Sequence, residues 1–282
     1  MRNLRLLVAA LLTSTVLLGQ KYEVHLSSRN RAGDVFFYGA SGTRSQQVSI
    51  AGQVMKQEEI SAEFEGRAEV LEVDASGEPV RVAFTVSKFT KSENGSTSEL
   101  LMPGSVVLVD GSAEDPVSLK GGKISDDARK AFKVVYSPHK PGTATDDDVF
   151  GTKEPKAFGE SWPINAKLAS EDAKKSGIEI SPEHLNGRTE LVGKDRIGEA
   201  DCLSVRTELV ASGVALKDLP AGATIDEGTM QATFAGCVPI AGTIPVRKGV
   251  EMTLKARLTT NGSTIDIAGR QKSSEIWKEV PK

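Results

Sequence analysis

The chain has 282 residues, 39% of them hydrophobic, 26% charged and 5% aromatic, with 35 Lys and Arg against 38 Asp and Glu. That near-balance leaves no polybasic footprint for nucleic acid, and the hydrophobic content is too high for a disordered chain. The length accommodates one large domain or two of ordinary size, with chain enough to bury a core.

The first element is a targeting segment. Met1-Arg2-Asn3-Leu4-Arg5 supplies a positive start, and Leu6 to Leu18 is a charge-free apolar run broken only by Thr13-Ser14-Thr15. This pattern predicts a cleaved signal peptide over residues 1–19, too short for a membrane-spanning helix, which needs about 20 apolar residues. Position 20 is Gln, so the Cys that lipoprotein processing acylates is missing and no lipid anchor is expected. Loss of Arg2 and Arg5 leaves 33 basic against 38 acidic residues, a formal charge of −5. The expected location is extracytoplasmic, periplasmic or secreted, with membrane contact only through the transient signal.

From residue 20 onward the pattern is mainly β. Val80 to Val86 alternates apolar with small or polar residues, as does Val250 to Leu258, and each predicts a half-buried strand. Asn94-Gly95 and Asn261-Gly262 follow such strands and predict tight hairpin turns. Gly33-Asp34, Asp74 to Gly77, Asp110-Gly111 and Gly121-Gly122 add further turn signals. Helical pattern is scarce. Ser125 is placed to cap a short helix near 126–136, with Asp126 and Asp127 in the first turn where the helix dipole favours acids. A second, shorter helix is expected after Ser170, over Glu171 to Lys175. Residues 137–157, rich in Pro, Gly and Asp, read as a linker between an N-terminal unit, 20–136, and a C-terminal unit, 158–282.

Two cysteines in an exported chain form the only available pair. In the segment from Cys202 to Leu209 the apolar Leu203, Val205 and Leu209 share one parity, and Cys202 has the other. Between Met230 and Val238 the same division sets Cys237 apart from Met230, Ala232, Phe234 and Val238. Both thiols therefore point away from the apolar face. An antiparallel register with 202 opposite 237 predicts a Cys202–Cys237 disulfide worth about 3 to 4 kcal/mol, and leaves Gly213 to Asp226 as a long loop.

The two units share a motif. Gly66 to Glu78 aligns without gaps on Gly187 to Glu199, with six identities and two aliphatic exchanges, and an alternating strand and an Asn-Gly-Ser-Thr turn follow each copy. The expectation is a duplicated β unit.

Catalytic and metal-binding patterns are absent. His25, His139 and His184 are widely separated and fit no ligand spacing. There is no GxSxG, Walker or GxGxxG sequence. Asp146-Asp147-Asp148 fails the EF-hand order because Phe150 occupies the third ligand place, and reads as a solvated acidic loop. No cofactor, metal or catalytic residue is expected, and the chain is read as a non-enzyme.

Gly159-Glu160-Ser161-Trp162, with Gly198-Glu199-Ala200-Asp201-Cys202-Leu203-Ser204-Val205 further on, resembles the C-terminal half of an uncharacterised family of bacterial exported β-sheet proteins and lipoproteins. The resemblance covers about half the chain, and Gln20 departs from the lipoprotein members. By shape alone such proteins look like LolA/LolB-type half-barrels, which hold acyl chains against an apolar sheet face; no residue carries over from that analogy. Trp162 itself reads as a core or sheet-rim aromatic.

The resulting expectation is a mainly β protein: a large curved antiparallel sheet or two related ones, forming a half-barrel or a clam-like sandwich, with one or two short helices. Its function is read as binding a hydrophobic, lipid-like small molecule in the envelope. The alternative is a structural or protein-interaction component of the envelope with a packed, ligand-free core. The low aromatic content argues against a sugar-stacking or base-stacking surface.

Overall fold

The computed structural model describes residues 20–280 apart from 28, 94, 176, 218–222, 241–243, 245 and 261. The expected signal segment, and the asparagines of both Asn-Gly pairs, lie outside the described residues. The elements in chain order are β1 (Val35–Ile50), β2 (Gln53–Val73), β3 (Pro79–Glu93), β4 (Ser96–Glu99), β5 (Val106–Asp110), β6 (Val117–Leu119), α1 (Asp126–Val135), α2 (Asp146–Phe150), β7 (Ser161–Pro163), α3 (Ala166–Lys175), β8 (Ile178–Glu179), β9 (Leu185–Ile197), β10 (Ala200–Ser212), β11 (Ala215–Leu216), β12 (Thr224–Pro239), β13 (Val246–Thr260) and β14 (Ser263–Lys278).

Twelve strands form one antiparallel sheet in the order β6-β5-β3-β2-β1-β14-β13-β12-β10-β9-β7, with β4 paired to β3. Strands β8 and β11 make a separate two-stranded ribbon. The fold is thus mainly β as expected, in its single-sheet form, and the free edges β6 and β7 leave it unclosed. The two halves of the chain meet where the first strand pairs with the last, from Phe37 opposite Lys278 to Ile50 opposite Ile265. Both Asn-Gly hairpins form: Glu93 pairs with Ser96 and Thr260 with Ser263, and Gly95 and Gly262 take the positive φ that such two-residue turns require.

One face of the sheet carries all the packed helices. Register places Phe64, Phe84, Tyr38 and Trp277 on this face together with Leu209, Ala232 and Met252. Helix α1 lies across β1, β2 and β14. Ser125 caps it by accepting from the Ala128 N–H, with Asp126 and Asp127 in the first turn, as the sequence predicts. Phe132 enters an aromatic cluster with Phe64, Phe84, Phe89 and Tyr136 at centroid distances of 5.3 to 6.0 Å. Gly42 permits this approach, since a Cβ there would stand 2.6 Å from the Val134 carbonyl oxygen. A second core cluster joins α3 to β9, β10 and β12 through Leu185, Leu209, Ala211, Met230 and Ala232. The opposite face is solvated and crossed by ion pairs such as Arg257–Asp266 and Arg270–Glu251.

Three expectations are corrected. Helix α3 starts at Ala166, not after Ser170; Asn165 caps it by accepting from the Leu168 N–H, and Ser170 sits inside the helix, its hydroxyl donating to the Ile180 carbonyl. Asp146 to Asp148 is the first turn of α2 and not a solvated loop. Thr145 and Asp148 form a reciprocal capping box there, and Asp147 accepts from the Leu26 and Ser27 N–H groups. Cys202 and Cys237 are joined, with Cα atoms 5.6 Å apart, but Cys202 lies opposite Pro239 and Ser204 opposite Cys237. The bridge is therefore diagonal, two residues off the expected register. Within the expected 213–226 loop, Ala215–Leu216 forms β11 and β12 begins at Thr224.

Candidate functional site

The face that carries the helices is not packed throughout. Between the α1 side and the α2/α3 side lies a cavity of about 570 Å³, floored by β12, β13, β14 and β1. Phe36, Val135, Val205, Phe234, Val246 and Trp277 are among its apolar walls. Strand periodicity explains the floor. On β13 the residues 246, 248, 250, 252, 254, 256 and 258 face the helices, and all are apolar except Lys248. On β14 the matching row runs Trp277, Glu275, Ser273, Gln271, Gly269, Ile267 and Ile265. Of these, Val246, Lys248, Val250, Gln271, Ser273, Glu275 and Trp277 line the cavity; beyond it the rows run on over the sheet and end in Leu258 and Ile265.

The ionic end is assembled from four distant parts of the chain. Lys248 stands directly opposite Glu275 across the β13–β14 ladder. The segment after α1 crosses above the sheet and delivers Asp146, at the start of α2, whose Oδ2 accepts from Lys248 Nζ at 2.6 Å. Glu78 arrives from the β2–β3 turn. The Lys248 and Asp146 side chains are 32% and 46% exposed, and both line the cavity. Burial opposes the charge of the Lys248 ammonium, but the carboxylates of Asp146, Glu275 and Glu78 outweigh burial and raise its pKa. Burial raises the pKa of Glu275, against the opposing pull of Lys248, and of Glu78 likewise. One ammonium thus answers three carboxylates.

Two tyrosines and a histidine frame this cluster. The Tyr38 hydroxyl donates to the Val135 carbonyl at 2.6 Å and stands 3.2 Å from Glu275 Oε2, which ties β1, β14 and the end of α1 together. Burial lifts the phenol pKa of both Tyr38 and Tyr136. His139 Nε2 lies 2.9 Å from Asp74 Oδ2, and Asp74 also accepts from the Ser76 N–H and hydroxyl and the Glu78 N–H. Burial works against the Asp74 carboxylate, but the bonds from Ser76, His139 and Glu78 outweigh it and pull its pKa down to about 2. These contacts hold the β2–β3 turn and with it Glu78. Thr143 continues the line, 3.4 Å from His139 Nδ1, but its hydroxyl donates to the Lys140 carbonyl at 2.7 Å. The Asp74–His139 pair therefore acts as a clamp on the turn.

The disulfide residues lie on the other side of the sheet from the cavity, as their parity predicts, and both are buried. Trp162 is a buried rim aromatic whose indole N–H donates to the Phe150 carbonyl at 2.7 Å. His25 sits beside Glu23, with both side chains largely exposed, and His184 near Gly213; neither lines the cavity. Among the described residues no group of His, Cys, Asp or Glu is placed to hold a metal ion. The sequence reading missed Lys248, Glu275, Glu78, Tyr38 and Trp277. A signal for Lys248 existed: it is the single charge on the apolar parity of an otherwise regular strand.

No protein-family model and no curated protein matches the chain. Among solved structures, a lipovitellin described for its lipid–protein interactions aligns with a TM-score of 0.38 at 9% identity. The alignment covers 89% of this chain and 26% of that one, so this chain spans about a quarter of the lipovitellin chain. OccK11 (OpdR) of Pseudomonas aeruginosa aligns at 0.25 with 7% identity, covering 90% of this chain and all of that one. A loop-deletion mutant of OmpT, an outer membrane protein of Vibrio cholerae, aligns at 0.21 with 11% identity, over 86% of this chain and all of that one. At these scores the likeness does not extend to a shared fold.

Proposed function

We propose that this chain is an exported, non-catalytic protein that holds a hydrophobic, lipid-like ligand in the cavity between α1, the 137–146 segment and the β12–β14 floor. The observation that carries this reading is the cavity itself. Its volume of about 570 Å³ falls within the range of about 300 to 1,000 Å³ typical of small-molecule sites, and its lining joins apolar walls to an extensive polar and ionic part, as an amphiphilic ligand requires. Export is supported by the Cys202–Cys237 disulfide, which persists in oxidising compartments, and by the apolar run at the start of the chain. Among the described residues no helix is long and apolar enough to cross a membrane. The non-catalytic part is supported by the engagement of His139 and Thr143 in holding backbone turns.

The duplication proposed from the 66–78 and 187–199 segments has support of its own. Both segments end a long strand and enter a hairpin, β2–β3 and β9–β10. The aligned glycines also make the same close approach: a Cβ would stand 2.5 Å from the Thr85 oxygen at Gly66 and 2.8 Å from the Glu208 oxygen at Gly187.

A second reading, a protein-interaction component of the envelope, is favoured by one feature. The β1–β2 hairpin tip exposes Ile50, Val54 and Met55 together. Native mass spectrometry of the mature protein purified from its own host separates the two. A lipid-sized adduct, lost in the Phe234→Glu variant while that variant keeps its circular dichroism spectrum, supports the carrier. A bare polypeptide mass, with no uptake of alkyl amphiphiles by the delipidated protein, overturns it and leaves the interaction reading.

A further inference from the structure

The cavity specifies its ligand more closely than hydrophobicity does. Lys248 Nζ is hydrogen-bonded to Asp146 and also attracts Glu275 and Glu78, so one ammonium is shared among three carboxylates that line the cavity. Besides Lys248, Glu275 is met by the Tyr38 hydroxyl and by Trp277, and Glu78 by Ser27 and the field of His139. Lys133, Lys140 and Lys175 also line the cavity and are exposed, and Asp172 adds a half-buried carboxylate to the lining. From the ionic end the cavity floor continues with Val250, Ser273 and Gln271, and past the cavity the rows run on as Met252, Leu254, Ala256 and Leu258 on β13 and Gly269, Ile267 and Ile265 on β14. Val250, Met252, Leu254, Ile265 and Ile267 are only half-buried. At about 3.3 Å per residue the stretch from Val250 to Leu258 is roughly 26 Å long. Exposed Arg44 and Gln46 on β1 border it on one side.

Resting on the carrier reading above, we infer that the ligand is an amphiphile with an ammonium head and an aliphatic chain. Its head sits between Glu275, Glu78 and Asp146, and its chain runs past Val250 and out of the cavity along the helix-facing rows of β13 and β14 toward Leu258 and Ile265. The physical reason is complementarity at both ends. An incoming ammonium adds a second cation where three carboxylates share one, whereas a carboxylate or sulfate head adds a fourth negative group beside that single lysine. The gradient along the two rows orients the molecule, because the reverse placement would bury the head among isoleucines and leave the chain against Lys248.

The test uses delipidated protein spanning residues 20–282 and isothermal titration below the micelle concentrations of dodecylammonium, dodecyltrimethylammonium, dodecanoate and dodecanol. The expected result is that the two ammonium compounds bind at least about tenfold more tightly than dodecanoate, and that Glu275→Gln with Glu78→Gln removes most of that preference. The variant Ile267→Gln, at a half-exposed position, is expected to weaken all four several-fold with an unchanged circular dichroism spectrum. Equal or tighter binding of dodecanoate overturns the ammonium assignment and leaves the carrier reading standing. Unchanged affinity in Ile267→Gln overturns the chain path. If none of the four compounds binds, the carrier reading itself fails.

Discussion

Replacing Cys202 and Cys237 together by alanine removes the covalent link between β10 and β12, whose ends are 35 residues apart in sequence. In the chain-entropy account a closed loop of that length restricts the unfolded state by about 13 cal/mol/K, or about 4 kcal/mol at 25 °C. The folded state needs little adjustment. The two strands stay paired from Leu203 opposite Val238 to Ser212 opposite Thr229, and the cavity lies on the other face. Loss of two buried sulfur atoms adds up to about 1 kcal/mol each through packing. Equilibrium urea unfolding, followed by tryptophan fluorescence and circular dichroism, should show the midpoint falling by about 1 M or more, with the slope little changed. Wild-type protein kept in reductant should fall by a similar amount. A loss below about 1 kcal/mol in both samples would refute the reasoning, because it would mean that the unfolded chain already holds residues 202 and 237 close together.

Phe132→Ala should cost about 3 to 5 kcal/mol in the same assay, since the ring is fully buried and meets four other aromatic rings; a cost under 1 kcal/mol would show that α1 does not anchor the N-terminal core. Asp74, 16% exposed, has a folded pKa of about 2 against an ordinary value of 3.8. Its bonds therefore stabilise the fold by about 2 kcal/mol above pH 4, and that contribution is lost as the pH falls from 4 toward 2; in Asp74→Asn this acid-labile part should be missing from a pH series of unfolding midpoints. Glu275 shifts the other way. Burial raises its folded pKa, so its ionisation costs stability as the pH rises from about 4.5 through that raised value. Glu275→Gln should consequently be more stable than wild type at pH 7 and differ little at pH 4, and a less stable variant at pH 7 would contradict this sign.

Some of these features are visible in the chain itself. Short-range periodicity marked β3 and β13, the Asn-Gly pairs marked two hairpins, and Ser125 with Asp126 and Asp127 marked the start of α1, because each depends on residues within a few positions of one another. The cysteine parity shows the limit of such reasoning. A two-residue slip in register leaves every side chain on the same face, so parity assigned the thiols to the right face but could not distinguish Cys202 opposite Cys237 from the diagonal pairing that forms. Helix α3 was misplaced because Asn165 and Ser170 are both good caps, and the contact that holds Ser170 inside the helix comes from the Ile180 carbonyl. Strand β1 escaped notice for a different reason. Its middle, Ser41 to Gln47, carries little apolar alternation, and it becomes a strand because it has a partner on both sides, β2 and β14, at the centre of the sheet.

By itself, then, the sequence determined the β class, the local turns, the α1 cap and which face the cysteines would take, all set by the steric and hydrophobic preferences of near neighbours. The joining of two halves into one sheet, and the site that results, were decided by tertiary structure alone. Glu78, Asp146, Lys248 and Glu275 are spread over almost 200 residues. They meet only because β1 pairs with β14 and because the segment after α1 crosses back over the floor, and a charge acquires its cavity, its burial and its shifted pKa only once that long-range packing exists.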